Sequence, residues 1–164
     1  MMKKLHVFLA GILVVGTLVG CGRPDGDVAG APPEAQAPGE VTWLTDLPTA
    51  KAQAAESSKM VLINFTGSDW CPPCIMLKRQ VFSHPEFAEY AERNLVLVEI
   101  DFPRGKAQPR ELVMANAQLQ QEFAIDGYPT IVVLDAAGKM LGQLGYMSGG
   151  PARFIGELEK LRAM

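Results

Sequence analysis

Two short apolar runs, at residues 60–65 and 95–101, have the length of buried strands. Both are rich in branched aliphatic residues, which is typical of central strands covered on both faces. Two helical stretches lie between them. The first begins at a pair of cysteines and runs through Val81; the second begins at Ser83, whose spacing to Glu86 predicts a capping box. The order of elements is therefore strand, helix, strand.

A helix is also predicted upstream of the first apolar run. Asp46, followed two residues later by Pro48, is a typical helix start, and the alanine-rich stretch behind it ends near Ser57. Trp43 and Leu44 precede this helix, and we expect them to pack beneath it.

The second half of the domain contains a helix, a hairpin and a last helix. Residues 109–123 have apolar positions at helical spacing, broken by Asn116. Residues 130–135 and 140–146 flank a four-residue turn and read as a hairpin, and a terminal helix begins at Pro151. A strand-helix-strand unit followed by these elements predicts an α/β fold, with a mixed central sheet flanked by helices on both faces.

Length and composition fit one globular domain rather than a nucleic-acid-binding protein. The 164 residues are 48% hydrophobic and 20% charged. Removing residues 1–20 leaves 13 basic and 18 acidic residues, a formal charge of −5. An acidic chain has no electrostatic attraction for a phosphate backbone, so we expect no nucleic-acid partner, and we expect a monomer.

The N-terminal 20 residues resemble a secretion signal. Lys3 and Lys4 precede an apolar stretch that is shorter than the roughly 20 residues a membrane-spanning helix needs. The run Leu-Val-Gly-Cys that ends at Cys21 resembles a bacterial lipobox, which implies cleavage before Cys21 and its modification by lipid. A spanning anchor and a cleaved signal without lipid are the alternatives. By the same resemblance, Gly22 after the cysteine favours an outer-membrane address in a diderm host.

Residues 21–40 are predicted to form a tether. They are dominated by Gly, Pro, Ala and a few acids, and almost nothing in them is large enough to bury. A lipid on Cys21 would hold the protein at a membrane, and the tether would let the domain at residues 41–164 reach soluble partners. We therefore expect a lipid-anchored protein of the bacterial cell envelope that faces the periplasm or extracytoplasmic space.

The sequence Cys71-Pro72-Pro73-Cys74 carries the clearest chemistry. Two cysteines two residues apart at a helix start can close a disulfide, and the helix gives them unequal settings. Pro72 and Pro73 suit the first turn, where their missing amide hydrogens are not needed. Cys71, at the positive end of the helix, is the expected nucleophile. Cys74, one turn inward and less exposed, is expected to resolve the mixed disulfide.

Three other interpretations of the cysteine pair were weighed. A zinc site needs about four ligands, yet beyond the signal segment His84 is the only histidine and no second cysteine pair exists. A structural disulfide would close a very small loop and stabilise little. Copper binding through the thiols is reasonable for soft ligands. We expect no metal and no cofactor other than the Cys71–Cys74 disulfide.

The sequence from Phe65 to Cys74, the turn from Gly127 to Thr130 and the order of elements together resemble the thioredoxin superfamily across residues 41–164. The Phe-Thr-Gly-Ser-Asp-Trp-Cys run is most similar to extracytoplasmic members, such as the C-terminal domain of the thiol-disulfide interchange protein. The resemblance implies a thioredoxin-like fold and exchange of dithiol and disulfide with protein partners. It also implies a membrane electron donor and, by analogy with reducing relatives, a reductant.

The resemblance further implies the supporting residues of the site. In the family, the proline matching Pro129 is cis and lies beside the cysteine pair, where adjacent backbone binds an extended substrate strand. Tyr128 and Thr130 belong to the same turn. Trp70 is expected to pack near the cysteines and shape partner contact, although a plain core role is the alternative.

The chain departs from cytosolic thioredoxins in its buried charges. Asn64 stands where those proteins usually place an Asp, and Asn cannot accept a proton. Leu97 stands where they commonly carry a Lys. Asp69 and Glu99 are therefore the candidate acid-base residues for Cys74, with a surface or strand-end role as the alternative for each. A copper chaperone or a non-catalytic binding module remains the alternative function.

Overall fold

The structure is a computed structural model that describes residues 41–164. The predicted signal segment, the lipidation site at Cys21 and the tether lie outside the described residues. Within residues 41–164, every helix falls short of the length and apolar character needed to cross a membrane.

Five strands and five helices follow one another in the predicted order, with one additional strand at the start. The elements are β1 Trp43–Leu44, α1 Leu47–Ser57, β2 Met60–Thr66, α2 Pro72–Leu77, α3 Pro85–Asn94, β3 Leu95–Asp101, α4 Arg110–Glu122, β4 Thr130–Leu134, β5 Met140–Leu144 and α5 Gly150–Arg162. A π-helical turn, Lys78–Phe82, continues α2.

The strands form one mixed sheet in the order β1-β3-β2-β4-β5. Strands β1 and β2 pair with β3 in parallel, whereas β4 runs antiparallel to β2 and β5 antiparallel to β4. The predicted α/β architecture, with β2 and β3 inside the sheet and a C-terminal hairpin, is confirmed. Trp43 and Leu44 were expected only to pack beneath α1, but they form an edge strand beside Leu97 and Val98.

Alternate residues of the central strands point to opposite faces of the sheet, and each face is covered by helices. Met60 and Leu62 of β2 pack with the residues of α2, α3 and α5, whereas Val61, Ile63 and Phe65 pack with those of α1 and the α4 side. The active-site helix α2 thus lies over the even-numbered positions of β2. The same alternation in β3 places its odd-numbered residues on that face.

The helix starts follow local hydrogen-bonding chemistry, with one departure from the sequence prediction. Asp46 caps α1 by accepting a hydrogen bond from the Thr49 amide at 2.8 Å. The side chain of Thr49 and, second to it, this amide lower the pKa of the Asp46 carboxyl. The predicted capping box at Ser83 is wrong. The N-cap of α3 is His84, without a side-chain bond, because Pro85 occupies the first helical position and shifts the start by one residue.

Candidate active site

The cysteine pair lies where α2 begins. Cys71 is the N-cap, with extended backbone, while Pro72 and Pro73 occupy the first two helical positions, as the sequence predicted. Cys71 and Cys74 form a disulfide with their Cα atoms 5.3 Å apart. Because neither proline carries an amide hydrogen, the N–H of Cys74 is the first amide donor of the helix.

Both cysteines are buried in the disulfide form. Cys71 is 3% exposed and Cys74 is 5% exposed, so the expectation that Cys74 is the less exposed of the two is wrong. The reason is a cover over Cys71 from another part of the chain: its Sγ atom lies 3.6 Å from the carbonyl oxygen of Tyr128. What distinguishes the two sulfurs is therefore their helical position and their neighbours, not their exposure.

The turn before β4 supplies this cover. The Tyr128–Pro129 peptide bond is cis, as the family resemblance implied. The Thr130 hydroxyl donates a hydrogen bond to the Gly127 carbonyl at 2.8 Å, which closes the turn. In the reduced state, the Cys71 thiol can donate a hydrogen bond to the Tyr128 carbonyl. The structure thus brings the Tyr128 carbonyl to Cys71, and Pro129 and Thr130 follow it in the same turn.

Aromatic side chains surround the entrance to the pair. The Trp70 and Tyr128 rings meet edge to face with their centroids 5.9 Å apart, and Phe102 stacks on Tyr128 with the centroids 5.1 Å apart. The Trp70 indole N–H donates to the Phe102 carbonyl at 2.7 Å. Burial raises the pKa of the Tyr128 hydroxyl, which keeps it neutral. Trp70 is accordingly part of the site's rim and not only a core aromatic.

The loop before the cysteines, residues 67–70, is fastened to the last residue of β3 and to the segment after it. Asp101 accepts hydrogen bonds from both the amide and the hydroxyl of Ser68, at 2.9 and 2.6 Å. Asp69 accepts the amides of Arg104 and Gly105, at 3.0 and 2.6 Å. These bonds lower the pKa of the Asp69 carboxyl. Both oxygens of this candidate acid-base residue are thereby engaged in holding the loop.

Glu99, the other candidate acid-base residue, lies beneath the active-site helix. It pairs with Asn64 across the parallel β2–β3 ladder, and strand alternation puts both on the face covered by α2. Burial raises the pKa of the Glu99 carboxyl and Asp101 acts in the same direction, while Lys78 and Lys106 oppose the rise. Asn64 is 5% exposed, and its Oδ1 atom has no hydrogen-bond partner among residues 41–164.

Sequence reasoning missed three residues of this site. Asp101 is the last residue of β3, and Phe102 and Arg104 follow it. All three lie about 30 residues from the cysteines, and each touches the loop before them. The only available signal was that loops beyond the carboxyl ends of parallel strands converge at one edge of the sheet.

The described residues contain no cluster of three or more His, Cys, Asp or Glu side chains able to hold a metal ion. The Cys71–Cys74 disulfide itself supports cycling between dithiol and disulfide, and the half-buried Glu99 carboxyl lies on the same face of the sheet as α2.

Comparisons with known proteins agree with this arrangement. A family model described as thioredoxin-like matches residues 42–136. The chain is 37% identical over 112 residues to the disulfide bond reductase DsbH of Chlamydia pneumoniae, which covers 66% of this chain and 68% of that protein. A solved structure of a DsbH oxidoreductase superposes with a TM-score of 0.71 at 31% identity, covering 83% of this chain and 92% of that one.

A further relative is larger. The thiol:disulfide interchange protein DsbD of Cronobacter sakazakii is 33% identical over 132 residues, or 77% of this chain. The match spans only 21% of the length of DsbD, so the chain is similar to one part of that protein.

Proposed function

The chain belongs to the thioredoxin-like family and is a thiol-disulfide oxidoreductase, and we propose that it acts as a protein-disulfide reductase in which Cys71 attacks and Cys74 resolves. One observation carries the assignment of roles: Cys71 is the N-cap of α2, with its sulfur 3.6 Å from the Tyr128 carbonyl, while Cys74 lies within the first turn. Similarity to the reductase DsbH supports the reducing direction.

In the first step, the Cys71 thiolate attacks one sulfur of a partner disulfide. A new bond forms between the Cys71 Sγ and that sulfur, the partner's disulfide breaks, and the second partner sulfur leaves as a thiolate that takes up a proton. The positive end of α2 favours the thiolate form of Cys71. The product is a mixed disulfide with Cys74 still reduced.

In the second step, Cys74 loses its proton and attacks the Cys71 Sγ. The Cys71–Cys74 bond forms, the mixed disulfide breaks, and the other partner sulfur is released and protonated. The partner gains two electrons and the pair reaches the disulfide state seen here. We propose Glu99 as the acceptor of the Cys74 proton. Its support is its place under α2 and its raised pKa; Asp69, whose oxygens bind two amides, is the weaker candidate.

The substrate chain would lie beside the cysteine pair. The Tyr128 carbonyl lies next to Cys71, in the turn that also contains Pro129 and Thr130, and the Trp70 ring contacts Tyr128. These positions support a substrate-binding role for all four residues. Pro72 and Pro73 contribute by starting the helix and by withholding two amide donors from the Cys71 sulfur.

Turnover needs a dithiol donor that reduces the Cys71–Cys74 disulfide again. We propose a membrane electron donor and protein thiols or disulfides as partners, and a place in the bacterial cell envelope. The basis is the signal-like segment 1–20, the lipobox-like sequence before Cys21 and the similarity to Dsb proteins. Metabolic labelling with a lipid precursor should mark the chain, and Cys21→Ser should prevent the labelling.

The first experiment is the reduction potential of the Cys71–Cys74 pair, by equilibration in dithiothreitol or glutathione buffers with thiol trapping. Family potentials range from about −270 to −120 mV, and a reductase is expected near the lower value. A value near the upper end would mean a disulfide donor or isomerase instead. Stoichiometric Cu(I) binding without reduction of insulin would contradict catalysis altogether and favour a metal-binding role.

A further inference from the structure

The side chain of Arg104 lies on the ring of Trp70, the residue immediately before Cys71. The guanidinium carbon of Arg104 is 3.7 Å from the centroid of the Trp70 ring. Stacking on an indole restricts the long arginine side chain and leaves the N–H groups at the edge of the guanidinium plane directed outward. An arginine held in this way is already oriented for bidentate contact with a carboxylate.

The charge of Arg104 is not neutralised within the domain. Among residues 41–164, the ion pairs join Lys160 to Glu157 and Arg162 to Glu159, on α5. The nearby Asp69 carboxylate is bound by backbone amides, those of Arg104 itself and of Gly105. The guanidinium is exposed and has no hydrogen-bond acceptor from the described part of the chain.

The backbone beneath Arg104 is fixed relative to the cysteines. The amide of Arg104 is held by Asp69, and the carbonyl of Phe102 holds the Trp70 indole, which is the side chain immediately before Cys71. Trp70 in turn contacts Tyr128, whose carbonyl lies against the Cys71 sulfur. The guanidinium thus lies on the side chain that immediately precedes Cys71 and that contacts the residue covering the Cys71 sulfur.

We propose that Arg104 is a specificity residue that binds an acidic side chain of the substrate protein, within about three residues of the cysteine under attack. This inference rests on the proposed reductase function and names the chemistry of its partner: a disulfide flanked by Asp or Glu. An extended chain advances about 3.3 Å per residue. An acidic side chain two or three positions from the attacked cysteine can therefore reach past the Trp70 ring to the Arg104 guanidinium.

The test uses two peptides with an internal disulfide that differ only in the residues flanking one cysteine, Glu in one and Gln in the other. The full chain is reduced, freed of excess dithiothreitol and mixed with each peptide, and the second-order rate constant is measured. We expect the Glu peptide to react about two- to fivefold faster at low salt, the effect of one charge-assisted contact at an exposed site. The preference should shrink in high salt.

Arg104→Gln should lower the ratio of the two rate constants, Glu peptide over Gln peptide, to about one, whatever its effect on the rate with the Gln peptide. Arg93→Gln makes the same charge change on α3 and should keep the preference. Equal rates with the two peptides for the unaltered protein, or a preference that survives in Arg104→Gln, would overturn the proposal. Failure to reduce either peptide would contradict the reductase function itself, and the role of Arg104 with it.

Discussion

Asn64 of β2 and Glu99 of β3 are direct neighbours in the parallel ladder, on the sheet face that carries the active-site helix. The pair combines an amide oxygen without a partner and a carboxyl whose pKa is raised by burial. A neutral amide beside a carboxyl avoids the repulsion that two neighbouring acids would create. We therefore propose that the acid-base residue of this site is Glu99 on β3, whereas the resemblance to cytosolic thioredoxins places such a residue on β2.

Glu99→Gln should slow the second half-reaction. Gln cannot accept the Cys74 proton, and loss of one acid-base group costs about a hundredfold or more when proton transfer limits the step. Rapid mixing of the reduced protein with a disulfide peptide would separate formation of the mixed disulfide from its resolution. Only resolution should change. The same substitution at Glu89, exposed on α3, is the matched control and should leave both steps intact.

Glu99→Gln should also raise the thermal stability of the domain at neutral pH. The Glu99 carboxyl holds its proton to a higher pH in the folded domain than in the unfolded chain. Its contribution to stability is therefore complete below the ordinary pKa of 4.5 and is lost as the pH rises through the pKa of the folded state. Glu99→Gln removes this loss. Thermal denaturation should show a higher Tm for the variant than for the unaltered protein at pH 7, and this difference in Tm should disappear toward pH 4. A difference in Tm that is the same at both pH values would contradict burial of the charge.

Asn64→Asp should destabilise the domain at neutral pH. It places a second carboxyl at a buried position next to Glu99, which costs about 1–3 kcal/mol through desolvation and repulsion. Urea unfolding at pH 7 and pH 5 should show the defect shrinking at the lower pH. In the Glu99→Gln background, Asn64→Asp should cost less free energy of unfolding. If the effects of the two substitutions on the free energy of unfolding were strictly additive, the two side chains would not interact.

The cysteine roles predict opposite phenotypes. Cys71→Ser should abolish reduction of insulin, because no thiolate remains to attack. Cys74→Ser should still attack and should accumulate mixed disulfides with its partners, since nothing resolves them. Non-reducing gels of the two variants would show the difference, and full activity of either variant would refute the assignment.

Gly67→Ala should disturb the rim of the site. A Cβ atom at Gly67 would lie 2.5 Å from Cε2 and 2.7 Å from Nε1 of Trp70, so the indole must move and give up its bond to Phe102. We expect a loss of about 1–3 kcal/mol and slower reduction of peptides. Gly156→Ala is the control: nothing lies within 4 Å of its new Cβ, and a helical Ala should add about 0.5–1 kcal/mol.

Asp69→Asn should loosen the segment after β3. The hydrogen bonds from the amides of Arg104 and Gly105 keep the pKa of Asp69 below its ordinary 3.8. The stability that these bonds contribute is therefore present above pH 3.8 and is lost as the pH falls through the pKa of the folded state. Hydrogen exchange at these two amides should be faster in the variant at pH 7. Comparable exchange in both proteins would mean that the carboxylate does not hold the loop.

The sequence alone determined the elements that local chemistry specifies. The apolar runs of β2 and β3, the cap at Asp46, the hairpin of β4 and β5 and the helix start at Cys71 were all predicted, because each depends on residues adjacent in the chain. The candidate site was found for the same reason: its two cysteines and two prolines are contiguous.

Tertiary structure decided what depends on distant residues. Trp43 and Leu44 form a strand only because β3 provides an edge to pair with, and the burial of Cys71 depends on Tyr128. The contact of Arg104 with Trp70 requires the segment after β3 to fold back over the loop before the cysteines. These relationships join residues far apart in the chain, and local propensity carries no information about which of them the packed sheet brings together.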